Sequence, residues 1–281
     1  MSRYATITVI GRDKTGVVAR VTNLLFDTRA NIEALEEQVT RGQFSMTIQA
    51  SWKTASFDEK AFGQWLRELG RELGMEIKWW FTDPKRPQRI ALMVTREPHC
   101  LDAILSAKKT GTLKADIGCV IGNHRDLEDK AKKAGLSFHH VSWTNRAKAE
   151  EKVLKIIEKA EADFVVLARF MKILSPNFVW RFKNKIINIH PSLLPSFPGP
   201  QPYRQAYEHG VKISGVTAHF VSMHLDEGPI IVQESFRIKP GMTLKQIVAT
   251  GQPLEAKALV NAIRLYLTRQ LDVHWGVVKQ L

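Results

Sequence analysis

Asn188 and His190 lie two residues apart in IINIHPSLLP (186–195), an apolar, β-rich stretch that Pro191 interrupts. Alternate side chains of a strand point the same way, so the amide and the imidazole can share one site. An amide N–H can donate to a developing oxyanion, and histidine is the usual proton carrier near neutral pH. An Asn-x-His pair is more often structural than catalytic, so a catalytic interpretation requires further polar groups.

A carboxylate follows in LDEGPII (225–231), where Asp226 and Glu227 separate two apolar stretches. Asp-Glu-Gly suits a polar turn without any function. The functional interpretation is that a carboxylate near His190 orients the imidazole and helps to move protons.

A binding wall is predicted in LARFMKILSP (167–176), where a buried strand ends in an apolar loop before a helix that begins near Pro176. Packing of Phe170 and Met171 would explain the loop without a ligand. Alternatively, its apolar wall and free backbone groups could bind a flat heterocycle.

The elements before residue 82 follow the order βαββαβ. Apolar periodicity predicts strands at 4–10, 31–40, 43–52 and 75–81 and helices within 13–30 and 57–74. This order predicts a ferredoxin-like fold, with two helices on one face of an antiparallel sheet. Two prolines and two basic residues in TDPKRPQ (82–88) indicate a linker. We therefore predict a domain at 1–82, a linker at 83–88 and a second domain at 89–281.

Strands and helices alternate in the second domain. Nearly continuous apolar runs, typical of strands buried on both faces, predict strands at 89–95, 115–121, 163–168, 185–190, 213–221 and 229–238. Helices are predicted near 99–109, 125–135, 147–160 and 243–270. The pattern predicts a Rossmann-like, doubly wound α/β domain whose site lies at the carboxyl ends of the strands.

Composition excludes several classes of protein. The 281 residues are 44% hydrophobic, as in globular proteins, and no apolar run reaches the roughly 20 residues of a membrane helix. The first residues lack a signal-peptide core, and two cysteines cannot build a disulfide framework or a zinc knuckle. The net charge of +13 is spread out, which favours a solvated basic surface over nucleic-acid binding and leaves attraction of a polyanionic substrate open. We predict a cytoplasmic protein without a membrane or nucleic-acid partner.

The order of LARFMKIL, INIHPSLLP, GVTAHFV and HLDEGPII resembles the folate-dependent formyltransferase and hydrolase superfamily. Within it, VTREPHCLDAIL (94–105), CVIGNHRDL (119–127) and PYRQAYEHGVKI (202–213) are most similar to the formyltetrahydrofolate deformylases. The resemblance covers nearly the whole chain, and the N-terminal domain resembles an ACT module.

The resemblance implies a hydrolase of one-carbon metabolism and purine supply that splits 10-formyltetrahydrofolate into formate and tetrahydrofolate. This folate is the substrate, and no prosthetic group and no metal are implied. The implied catalytic residues are Asn188, His190 and Asp226. The implied substrate-binding residues are Arg169, Phe170, Met171, Lys172, Leu174 and Gly228.

The ACT resemblance implies an assembly or regulatory domain. Asp13, Gly16 and Asn31 match the place where such modules bind small amino acids, so an amino-acid effector is expected. The resemblance also implies a homodimer or homotetramer.

Some residues depart from the deformylase pattern. Deformylases usually carry a second histidine at the position of Pro191, whereas the transferases carry a proline there. VTREPHC lacks the Gly-rich phosphate loop of the ribonucleotide transferases, which argues against that acceptor. A formyltransferase with an unidentified amine acceptor therefore stays open, as does a folate- or amino-acid-sensing protein without turnover.

Overall fold

The computed structural model describes residues 3–40, 42–53, 57–82, 86–274 and 276–280. The chain divides into two compact units, one ending at Arg86 and the other beginning at Pro87. Of the predicted linker, residues 83–85 lie outside the described residues.

The first unit is a four-stranded antiparallel sheet with the strand order β2-β3-β1-β4. Its elements are β1 (Arg3–Arg12), α1 (Val17–Asp27), β2 (Asn31–Thr40), β3 (Gln43–Trp52), α2 (Glu59–Leu73) and β4 (Glu76–Thr82). Val17, Val21 and Leu25 recur every four residues and bury one face of α1. The predicted ferredoxin-like order is confirmed.

The second unit alternates strands and helices. Its elements are β5 (Arg89–Val94), α3 (His99–Lys109), β6 (Asp116–Gly122), α4 (Glu128–Lys133), β7 (Phe138–His140), α5 (Arg146–Lys159), β8 (Phe164–Ala168), α6 (Pro176–Arg181), β9 (Ile186–His190), α7 (Pro202–Glu208), β10 (Ile213–Phe220), β11 (Ile230–Arg237), α8 (Leu244–Leu267), β12 (Leu271–His274) and β13 (Val277–Gln280).

Strands β5 to β11 form one sheet with the order β11-β10-β9-β8-β5-β6-β7. β9, β8, β5, β6 and β7 are parallel, and β10 and β11 extend the sheet in antiparallel fashion. The order reverses at β5, which pairs with β6 on one side and β8 on the other. Ligands of open α/β sheets bind at such a switch point, beyond the carboxyl ends of the strands.

Alternating residues of the central strands build two apolar layers. Ile90, Leu92 and Val94 belong to a cluster that includes residues of α3 and α8. Ala91 and Met93 belong to a separate cluster that includes residues of α5 and α6. The sheet is therefore covered by helices on both faces, as the apolar runs predicted.

The sequence analysis did not predict three elements, β7, α7 and the β12–β13 hairpin. β7 has three residues and α7 has seven, which is too short for a clear periodic signal. The hairpin follows α8, which ends at Leu267 rather than at the predicted residue 270. Among the described residues, no helix combines the length and apolarity needed to cross a membrane.

The two cysteines should react slowly with thiol reagents. Cys100 and Cys119 are free and fully buried, and burial raises the pKa of the Cys119 thiol to about 12. Because the thiolate is the reactive form, we expect labelling at neutral pH at least ~100-fold slower in the native protein than in urea. A Ser106→Cys variant places a thiol on the exposed face of α3 and should gain one rapidly labelled group. Rapid labelling of the unchanged native protein would contradict the buried arrangement.

Candidate active site

A cavity of about 640 Å³ lies beyond the carboxyl ends of β8 and β9. Its lining includes the six residues of the loop 169–174 together with Asn188, His190 and Asp226. These residues from three separate stretches of sequence therefore meet in one cavity, whose volume suits a cofactor-sized ligand.

Asn188 is oriented by a buried histidine on the neighbouring strand. In the antiparallel register of β9 and β10, Asn188 pairs with His219, and its Nδ2 lies 3.2 Å from the Nε2 of His219. Nδ1 of His219 lies 2.9 Å from the carbonyl oxygen of Phe220 and must donate to it. Nε2 of His219 is therefore the acceptor, and the Asn188 amide donates one N–H to it.

His219 is neutral in the folded protein. Only 2% of the residue is exposed, and burial lowers the pKa of its imidazole below the ordinary value. The Phe220 carbonyl and Asp226 act in the opposite direction, and His190 adds to the lowering. A neutral His219 preserves the acceptor that fixes the Asn188 amide.

His190 and Asp226 contact each other in the wall of the cavity. Nε2 of His190 lies 3.0 Å from the carbonyl oxygen of Phe197 and donates to it, while Nδ1 lies 3.4 Å from Oδ2 of Asp226. The same Oδ2 accepts from the backbone N–H of Gly199 at 2.8 Å. The pair is well buried, with side chains only 7% and 8% exposed.

The turn that carries Asp226 is tightly packed. Asp226 has φ of +58°, in the left-handed region that aspartate tolerates better than most residues. A Cβ at Gly228 would lie 1.7 Å from the carbonyl oxygen of Phe220. Gly228, which the sequence placed at the substrate, is not among the residues that line the cavity. Close backbone packing explains the glycine, and its contact with the substrate stays a prediction.

The loop 169–174 forms the apolar wall. Phe170 is buried and packs edge-on against Trp143 with ring centroids 5.0 Å apart. Met171 and Ile173 are 56% and 59% exposed, so two large apolar side chains beside the cavity lack protein cover. The backbone N–H of Met171 donates to Oγ1 of Thr95 at 3.1 Å, which ties this loop to the segment after β5.

Behind the wall lies a polar cluster that the sequence analysis missed. Glu255 on α8 is fully buried and contacts Tyr203, His99 and Arg169. His99 and Glu255 are 156 residues apart, so local spacing could not reveal the contact. The only signal in the sequence was a glutamate among the apolar residues of a helix that covers the sheet.

The candidate effector residues are exposed in the first unit. Asp13 lies in the turn after β1, and Gly16 precedes α1 with φ of +87°. Asn31 begins β2 and donates from Nδ2 to Oε1 of Glu33 at 3.0 Å. Binding of an amino acid at these residues stays a prediction.

The chain is similar to two known protein families and to proteins of known function. The sequence profile described as formyl transferase matches residues 88–263, and the profile described as ACT domain matches residues 3–79. The formyltetrahydrofolate deformylase of Bacillus subtilis (strain 168) is 34% identical over 267 residues, which are 93% of this chain and 88% of the relative. The same enzyme of Escherichia coli (strain K12) is 36% identical over 272 residues, 93% of this chain and 92% of the relative.

Solved structures agree with the sequence comparisons. A formyltetrahydrofolate deformylase from Pseudomonas syringae matches with a TM-score of 0.68 and 32% identity, covering 99% of this chain and 94% of that one. Glycinamide ribonucleotide transformylase 1 from Symbiobacterium toebii matches with a TM-score of 0.67 and 31% identity, covering 72% of this chain and 97% of that one.

The burial of neutral His219 predicts acid-sensitive stability. Its folded pKa is lowered from 6.5, so below that pH the unfolded chain binds a proton that the folded protein does not. This part of the stability is complete above pH 6.5 and is lost as the pH falls. The free energy of unfolding can be measured by urea titration at about pH 7.5 and at about pH 5.5. Between these two pH values, a His219→Gln variant should lose up to about 1 kcal/mol less of its unfolding free energy than the unchanged protein loses.

The exposed His209→Gln substitution is the matched control for this experiment. It should leave the pH dependence of unfolding nearly unchanged. An identical pH dependence in His219→Gln and the unchanged protein would show that His219 is not held neutral by the fold.

Proposed function

The chain belongs to the formyltetrahydrofolate deformylase family, and from this membership we propose that it hydrolyses 10-formyltetrahydrofolate to formate and tetrahydrofolate. The observation that carries the proposal is the convergence of Asn188, His190 and Asp226 on one cavity large enough for a folate. Family membership supplies the substrate class, and these three side chains supply the groups that amide hydrolysis requires.

Attack of water on the formyl carbon produces a tetrahedral intermediate with a negatively charged oxygen. One N–H of the Asn188 amide is bound to His219, which leaves the second N–H for that oxygen. Nε2 of His190 is bound to the Phe197 carbonyl, so Nδ1–H is its remaining donor. We assign the oxyanion to the free N–H of Asn188, which is fixed before the substrate arrives, and to the Nδ1–H of His190, which turns from the Asp226 carboxylate to this oxygen when Asp226 takes up the proton of the water.

Asp226 is the proposed proton carrier. Its carboxylate positions the attacking water, accepts a proton from it and delivers a proton to N10 as the C–N bond breaks. The carboxylate lies 3.4 Å from the Nδ1 of His190, so a proton can pass between the imidazole and the carboxylate as charge develops. The bond formed is C–O, the bond broken is C–N10, and the products are formic acid, which ionises, and tetrahydrofolate.

The loop 169–174 is the proposed pterin site. Its exposed Met171 and Ile173 provide an apolar surface, and its backbone groups can bind the edge of the heterocycle. Lys172 and Arg204 are exposed residues of the cavity lining and can meet the carboxylates of the folate tail. Lys172 and Leu174 remain in the proposed site together with Arg169, Phe170 and Met171.

The two domains have separate proposed roles. Residues 89–281 carry the catalytic machinery, and residues 1–82 form an ACT domain for assembly and regulation. We propose an amino-acid effector at Asp13, Gly16 and Asn31 and a homodimer or homotetramer, because the ACT profile matches this part of the chain.

Formate release without an added acceptor tests the hydrolase directly. The purified protein should turn over 10-formyltetrahydrofolate many times with water alone. Asn188→Ala and Asp226→Asn should each lower kcat by about 10²- to 10³-fold while the protein stays folded, because each removes a group that acts in the transition state. The exposed substitutions Asn177→Ala and Asp129→Asn are matched controls and should keep full activity.

The alternative outcomes identify other functions. Pro191 lines the cavity at the position that the transferases share, so an amine acceptor is the specific alternative. Folate binding with turnover only after addition of an amine would make the protein a transferase. Binding without any turnover would favour a sensor, and neither binding nor turnover would reject the folate assignment.

Salt should weaken substrate binding if the basic surface attracts the folate tail. The net charge is +13, and exposed charges interact weakly beyond a Debye length of about 10 Å at 0.1 M salt. KM should rise several-fold between about 0.05 and 0.5 M salt, with kcat little changed. Lys172→Gln should reduce the slope of KM against salt, whereas Lys155→Gln, on α5 and outside the cavity lining, should not. A salt-independent KM would contradict electrostatic attraction.

A further inference from the structure

Glu255 has no part in the mechanism above, yet its carboxylate is fully buried and makes three contacts. Tyr203 donates from its hydroxyl to Oε1 at 2.8 Å, and Nε2 of His99 lies 3.1 Å from Oε2. Nε of Arg169 lies 3.3 Å from the same Oε2 in an ion pair without a directed hydrogen bond. The carboxylate thus connects α8 to α3, to α7 and to the loop after β8.

Two of these partners face the substrate. Arg169 and Tyr203 both line the cavity, whereas Glu255 lies behind them and does not. Arg169 begins the loop 169–174 and has φ of +61°, an unfavourable conformation for a long side chain that persists only where surrounding contacts hold it. The ion pair with Glu255 is such a contact.

The packing around Tyr203 places its hydroxyl against the Glu255 carboxylate. A Cβ at Gly251 would lie 1.9 Å from the Tyr203 hydroxyl oxygen, so a glycine is required there. Gly251 and Glu255 are one helical turn apart on α8 and both are buried. One face of α8 therefore leaves room for the Tyr203 ring at Gly251 and supplies the acceptor of its hydroxyl at Glu255.

The far end of the loop is anchored in a similar way. The backbone N–H of Ser175 donates to Oε1 of the buried Glu150 at 2.6 Å, and the Ser175 hydroxyl donates to Oε2 of the same carboxylate. Together with the Met171–Thr95 bond, these contacts attach the loop at its start, its middle and the residue after its end. The loop is therefore attached to the structure behind it at three places.

A metal site is the competing explanation, because ligand atoms of His99, Cys100 and Glu255 lie within 4.8 Å of one another. Burial raises the pKa of the Cys100 thiol far above its ordinary value, and Arg169 already places a cation at the carboxylate. Burial would raise the pKa of Glu255, but His99, Arg169 and Tyr203 together lower it below its ordinary value. Glu255 is therefore an ionised carboxylate whose counter-ion is a guanidinium.

We propose that Glu255 is a positioning residue that fixes Arg169 and Tyr203 in the wall of the folate cavity and thereby sets the affinity for the substrate. The proposal rests on the function proposed above. Since Glu255 does not line the cavity, it acts through its partners, and its loss should weaken binding more than chemistry.

Steady-state kinetics of Glu255→Gln test this role. The amide keeps the size of the side chain and an acceptor for Tyr203 but removes the charge that holds Arg169. We expect KM for 10-formyltetrahydrofolate to rise about tenfold, which corresponds to about 1.4 kcal/mol of binding free energy, with kcat within about threefold. Glu234→Gln removes the ion pair between β11 and Lys257 of α8, outside the cavity lining, and should leave both constants unchanged.

A double-mutant cycle tests whether the effect passes through Arg169. In an Arg169→Met background, Glu255→Gln should raise KM by less than about twofold further, because the contact is already absent. A full additional tenfold rise would overturn the proposal. A Glu255→Gln variant that keeps the KM of the unchanged protein would also overturn the proposal. This holds even if the variant unfolds at a lower temperature.

Two further measurements separate the alternatives. Stoichiometric zinc in the unchanged protein that Glu255→Gln loses would identify a metal site and overturn the positioning role. If Glu255→Gln does not fold, Tyr203→Phe removes a single hydroxyl from the same carboxylate and should raise KM about threefold; no rise would overturn the proposal. Failure of the unchanged protein to turn over folate would instead reject the proposed function, since these comparisons all presuppose its activity.

Discussion

The antiparallel pairing of β9 with β10 is the constraint on which the site depends. Its register places Asn188 opposite His219 and His190 opposite Thr217. A shift of one residue would turn both polar side chains of β9 to the other face of the sheet. β9 is parallel to β8 on its other side, so it marks the boundary between the parallel and antiparallel parts of the sheet. The strand that carries Asn188 and His190 thus belongs to the interior of the sheet, which suits the donor role proposed for these residues.

The two histidines beside Asp226 have different protonation roles although they are neighbours. His219 donates from Nδ1 to a backbone carbonyl and keeps a free lone pair on Nε2, so it can serve as the acceptor for Asn188. His190 donates from Nε2 to a different carbonyl, which turns Nδ1 towards the carboxylate. Backbone carbonyls therefore decide which nitrogen of each ring carries hydrogen. The imidazole of His219 therefore supports Asn188, and the imidazole of His190 faces the proposed proton carrier Asp226.

The sequence predicted the elements that have strong periodic signals and the residues whose neighbours are local. The central strands and the long helix α8 were correctly placed because continuous apolar runs are typical of a doubly wound sheet. Asn188 and His190 could be paired from strand alternation alone. Asp226 required the family resemblance, since 38 residues separate it from Asn188. Glu255 could not be placed at all, because its contacts with Arg169 and His99 exist only after α8 has packed against α3 and the loop after β8.

Water as a nucleophile explains why a rigid wall behind the substrate is useful. An amine acceptor brings its own contacts, and part of its binding energy can orient it towards the formyl carbon. Water offers almost no such contacts, so the distance between water and carbon depends on how firmly the protein holds the folate and Asp226. Asp226 is fixed by Gly199 and His190, and the loop 169–174 is fixed from behind by two buried carboxylates. Both sides of the reacting bond are therefore attached to the same sheet, and the geometry of attack follows from packing that precedes substrate binding.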